Sequence, residues 1–193
     1  VFRVSAVDEI VNKAMLAYAQ KTFNAKNCGM ILVNNPWGES NEKGLMAALA
    51  AKGLKPAGVE KFEGNDVDVV PQLTRLKSAG AGCLFLVGNV GPSAQVVKSL
   101  DRMGWKPPVV SHWGPAGGRF TELAGPSAPM VHFVQTYSFF GKQSPVGERV
   151  IKAMAAKYPN VKGPADITPA VGVANAYDGT HLAALAIAAA GST

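Results

Sequence analysis

NCGMILVNN (27–35), GCLFLVG (82–88) and PPVVS (107–111) are apolar runs of strand length, and the loop after each of them has an unusual composition. The first gives way to Pro36-Trp37-Gly38, the second to Asn89-Val90-Gly91-Pro92, and the third to His112-Trp113-Gly114-Pro115-Ala116-Gly117-Gly118. A run that is apolar throughout, with no alternation, suits a parallel strand covered on both faces. An open parallel sheet gathers the carboxyl ends of its strands on one edge, where such folds bind ligands. These loops therefore predict a shared rim, and it carries two tryptophans and no obvious catalytic group. That points to binding rather than chemistry.

Helical segments separate the runs. Residues 8–24 place Ile10, Val11, Ala14, Met15, Tyr18 and Phe23 at mostly helical spacing, with Asp8 and Glu9 where the helix dipole favours anions. A second helix is expected over 39–52, stopped by Gly53, and a weaker strand over 55–63. A third helix is expected over 68–79, and a fourth opens at Pro92-Ser93 and closes at Gly104. Repeated alternation of strand and helix predicts an α/β chain with a doubly wound parallel sheet, helices on both faces. After a strand at 130–137 the pattern changes: residues 138–193 supply helices at 145–158 and 169–190 with no convincing strand between them. The Ala-rich segment 170–190 carries Asn175, Asp178 and His181, and reads as a buried amphipathic helix rather than a membrane span.

Composition sets the outer bounds. A chain of 193 residues with 48% hydrophobic content can bury a substantial core. The formal charge of +6 is spread along the sequence without a basic block or an interleaved aromatic stripe, so solvated helix faces are expected rather than a nucleic-acid surface. The opening VFRVSAVDEI shows no signal-peptide pattern and reads as a strand entering a domain already under way, so a fragment of a longer protein is expected. Cys28 and Cys83 each begin an apolar strand. They are either inert buried thiols or, if a 2-1-3 strand order makes their strands neighbours, within reach of a disulfide.

The order of several landmarks resembles the substrate-binding proteins of branched-chain amino-acid-type ABC transporters, the leucine/isoleucine/valine-binding group with the type I periplasmic binding fold. They are Phe2-Arg3 and Asp8, an apolar strand before the aromatic-Gly pair Trp37-Gly38, Asp68 before an amphipathic helix, Met103-Gly104-Trp105, Leu123-Ala124-Gly125, and Ala176-Tyr177-Asp178. The resemblance implies two lobes that close on a ligand, with residues 1–137 forming the second lobe and 138–193 supplying helices of the first, most of which is missing. It further implies a periplasmic protein, its signal peptide removed, that hands a small organic solute to a membrane permease. Neither nucleic-acid binding nor membrane insertion is implied. An effector-sensing domain of a repressor or receptor shares the fold and is the alternative.

The candidate ligand-binding residues are Trp37, Asn89, Ser111, Trp113 and Gly114. By the resemblance Trp37 covers or stacks on the ligand; otherwise it closes the top of the core. Trp113 occupies a loop where amino-acid binders of the family can carry an acidic residue that meets the ligand's ammonium group. A tryptophan makes no such ion pair, which implies a solute without a free α-ammonium, aromatic or more apolar. Asn89 supplies either a hydrogen bond at the rim or ordinary turn chemistry, Ser111 a further hydrogen bond, and Gly114 close backbone approach. His112 falls on the opposite side from Trp113 if the strand continues, and so behind the binding surface. Neither a GxSxG elbow, a P-loop, an HExxH motif nor a dinucleotide fingerprint is present, so no catalytic residue, cofactor or metal is expected.

Overall fold

The apolar runs form a sheet whose strand order is β2-β1-β3-β4-β5, with β1 Cys28–Val33, β2 Val59–Phe62, β3 Cys83–Val87, β4 Val109–Ser111 and β5 Val131–Phe133. All pairings in this computed structural model, which describes residues 2–191, are parallel. Central strands β1 and β3 are buried along their whole length, as continuous apolar sequence requires. Ile31, Val33, Leu84, Leu86 and Val109 pack into one core with residues of α3 (Val70–Ser78), α4 (Val90–Arg102) and α5 (Phe120–Ala124). The alternating residues Met30, Leu32 and Phe85 are equally buried and face the other side, where α1 (Asp8–Phe23) packs on α2 (Pro36–Ala50). The result is a doubly wound parallel sheet with helices on both faces, as the alternation of strand and helix predicts.

The structure adjusts two element starts. Helix α2 begins at Pro36 rather than at residue 39, because Asn35 acts as N-cap: its side chain accepts the Gly38 amide at 2.9 Å and Pro36 supplies a pre-set first turn. Helix α4 begins at Val90, ahead of Pro92. In α1 the buried face is Val11, Asn12, Met15, Leu16 and Ala19, leaving Ile10 exposed. Cys28 and Cys83 are direct partners in the β1–β3 register and form a disulfide.

The chain divides into two compact units, Val7–Val134 and a second made of the residues up to Ala6 with those from Gln135 onward. The first holds the whole sheet. The second holds α6 (Pro145–Lys157) and α7 (Ala170–Ala190) around a small core of Phe139, Val161 and Ile167. The expectation of a buried helix over 170–190 does not hold here. Only Val171 of α7 is buried, and Leu182, Leu185 and Ile187 are exposed. The small core takes in Ala170 and Val173 at the start of α7 and leaves residues 180–190 exposed.

Candidate functional site

Strand order reverses between β1 and β3: the chain steps from β1 to β2 on one side, then returns to build β3, β4 and β5 on the other. A crevice opens at the carboxyl ends of the strands at such a point. Trp37 stands in the first turn of α2 just after β1, Gly88 and Asn89 follow β3, and the segment from Ser111 to Gly117 follows β4.

His112 lies at the centre of this group. Its ring is fully buried, with Trp37 edge-on at 5.1 Å between centroids and Trp113 at 4.1 Å. Nδ1 accepts the backbone N–H of Trp113 at 3.0 Å, which fixes the proton of the neutral ring on Nε2, and Nε2 donates to Asp8 Oδ1 at 3.1 Å. Burial pushes the imidazole below its ordinary pKa, and the Asp8 carboxylate opposes that shift. The ring is neutral at physiological pH and buttresses both tryptophans.

Trp37 and Trp113 are both half-buried, and Trp37 also packs against the core of the sheet. The Trp37 backbone is held as well, since its carbonyl accepts the Asn41 side-chain amide at 2.9 Å. Gly38 permits the tight passage from β1 into α2, because a Cβ there would stand 1.8 Å from the Val33 carbonyl oxygen. Gly114 is buried and admits the backbone of Gly88, whose carbonyl oxygen would be 1.9 Å from a Cβ, with the Trp37 ring edge at 3.1 Å. The close approach it allows is therefore made by the protein's own loop after β3.

Asn89 is exposed at the cap position of α4, with its carbonyl accepting the Ser93 amide and no side-chain cap bond. Ser111, expected to present a hydrogen bond at the rim, is fully buried, and its hydroxyl donates to the Leu86 carbonyl at 3.0 Å. That bond braces β4 against β3. Trp37, Trp113 and Gly114 are thus brought together around His112, Asn89 stands free on the same edge, and Ser111 turns into the sheet.

A family model described as periplasmic binding protein matches residues 1–193. No curated protein matches the chain. Among solved structures, a leucine binding protein LivK from Thermotoga maritima is 20% identical with a TM-score of 0.83, over 98% of this chain and 52% of its own. A type 1 periplasmic binding protein from Bordetella pertussis is 22% identical with a TM-score of 0.78, over 90% of this chain and 48% of its own. The branched-chain amino-acid binding protein LivJ from Streptococcus pneumoniae, solved with isoleucine, is 23% identical with a TM-score of 0.76, over 93% of this chain and 49% of its own. The chain therefore spans about half the length of the solved proteins it matches. Matched from end to end by the family model and carrying the parallel sheet of the type I fold, the chain belongs to the periplasmic binding protein family.

Proposed function

We propose that the protein captures a small organic solute outside the cytoplasm and delivers it to an ABC transporter permease. The sheet unit is one lobe and supplies one wall of the binding cleft; helices α6 and α7 belong to the other lobe. The single observation that carries this reading is the pair of half-buried tryptophans at the carboxyl edge of β1 and β4, held by one buried imidazole. Partly exposed rings on a rigid support form a stacking surface of the kind that binds planar or apolar solutes. Asn89 remains available for a polar contact. Closure of the two lobes buries the solute and creates the form that the permease reads.

Two solved relatives are named for leucine or are bound to isoleucine, so branched-chain amino acids belong in any screen. The wall here is aromatic, and the Asp8 carboxylate behind it is already engaged by His112. We therefore favour aromatic or apolar carboxylic compounds over free α-amino acids.

A thermal-shift screen on the full-length protein tests this. At about 100 times Kd a ligand stabilises the folded state by about 2.7 kcal/mol, which raises Tm by several degrees. Aromatic carboxylates are expected to give that rise, with leucine, isoleucine and valine giving less. Larger shifts with the branched-chain amino acids would overturn the aromatic reading, and no shift with any solute class would overturn solute capture.

A further inference from the structure

His112 makes two hydrogen bonds that respond to a proton in opposite ways. Nδ1 works as an acceptor, taking the Trp113 amide, and Nε2 works as a donor to Asp8. An imidazolium is a donor at both nitrogens. The added proton must sit on Nδ1, where it faces the Trp113 N–H with no lone pair left between them. The Asp8 side survives and becomes an ion pair. Trp113 begins the turn after β4, so its backbone bond to His112 sets where the indole stands.

We propose that His112 is the positioning residue of the aromatic wall and its acid-operated release: neutral, it clamps the Trp113 backbone against β4, and a proton on Nδ1 frees Trp113 while Asp8 keeps the imidazole in place. Only the consequence for a bound solute rests on the transport reading above; the clamp itself does not. The direction of the effect follows from what surrounds the ring. Helix α1 faces it with Asp8, the one charged group acting on it among the described residues, while α2 and the turn after β4 face it with the uncharged rings of Trp37 and Trp113. Burial delays protonation and Asp8 assists it, so release falls below the ordinary histidine range.

The test uses the full chain without any solute, so that its failure and a failure of the solute screen are separate events. Ring-nitrogen NMR at neutral pH is expected to show the His112 proton on Nε2. Tryptophan emission followed from pH 8 to pH 4 is expected to show a reversible one-proton change with its midpoint below 6.5. Asp8→Asn keeps an acceptor for Nε2 but removes the charge, and is expected to lower the midpoint further. His112→Asn offers an amide oxygen in place of Nδ1 and does not titrate. It is expected to keep the neutral emission and lose the step, even though His132 and His181 are both retained. A merely structural histidine would not be replaced in this way. A proton found on Nδ1, emission that stays flat until the chain unfolds, a midpoint unmoved by Asp8→Asn, or a step that persists in His112→Asn each overturns the proposal. If His112→Asn does not fold, the shift in Asp8→Asn and the NMR assignment decide.

Discussion

Trp113 leaves β4 one residue after His112, and the two rings lie together although strand alternation predicts opposite sides. The reason is local: β4 ends at Ser111, and Trp113 adopts helical dihedrals, φ −69° and ψ −2°, so the alternation has already stopped. The tryptophans and Gly114 were legible as a rim because residue type and strand-end position suffice to place them. The hub was not, since a bond between Asp8 and His112 joins positions far apart in the sequence. Replacing Trp37 or Trp113 by Ala is expected to weaken binding of a solute found in the screen by about 1–3 kcal/mol, measured by calorimetry, while the half-buried rings cost the fold less than a core tryptophan. Unchanged affinity with a large stability loss would return either ring to the core. Gly114→Ala is expected to destabilise by about 3 kcal/mol in denaturant unfolding, as a Cβ meets the Gly88 carbonyl and neither backbone can yield cheaply. For His112 the folded pKa lies below the unfolded value. Its contribution is complete above about pH 6.5, where neither state is protonated, and is lost as pH falls from there towards the folded pKa, because the unfolded chain binds the proton first. Urea midpoints should fall over that window in the native chain and stay flatter in His112→Asn.

At the scale of elements, continuous apolar runs identified the central strands, and glycine stops closed the helices between them. Gly53, Gly80 and Gly104 all sit at positive φ after α2, α3 and α4. The start of α2 was less legible, because Pro36-Trp37-Gly38 reads equally as a loop until Asn35 is seen to cap it. The disulfide depended on register, which sequence does not set for parallel strands; once Cys28 and Cys83 became direct partners the bridge followed. It closes a loop with a sequence separation of 55. Replacing both cysteines by Ala is expected to lower unfolding stability by about 2–4 kcal/mol, and added reductant should act slowly on the native chain because both residues are buried. The bridge joins the first residues of β1 and β3, the end of the sheet away from the crevice, so solute binding by the folded fraction is expected to persist in the variant.

For the molecule as a whole, the sheet unit is self-sufficient and the helical unit is not. A fully buried pair of central strands and a core on both faces contrast with α7, in which only Val171 is buried and residues 180–190 are all exposed. Limited proteolysis is expected to cut within residues 138–190 well before the sheet unit, and protection of α7 in the isolated chain would show that something covers it. The ends of the sheet unit add a geometric fact. The chain enters it at Val7, and Asp8 is bonded to His112; it leaves at Val134, whose N–H donates to the Ser111 carbonyl at 3.0 Å. Entry and exit are thus pinned to consecutive residues of one strand end. A unit whose ends meet behaves as a cassette: Val7–Val134 should survive excision with its disulfide and all three tryptophans. Its old ends should also tolerate a short splice when new ones are opened at the exposed Gly64-Asn65 turn, giving a circular permutant with the same rim.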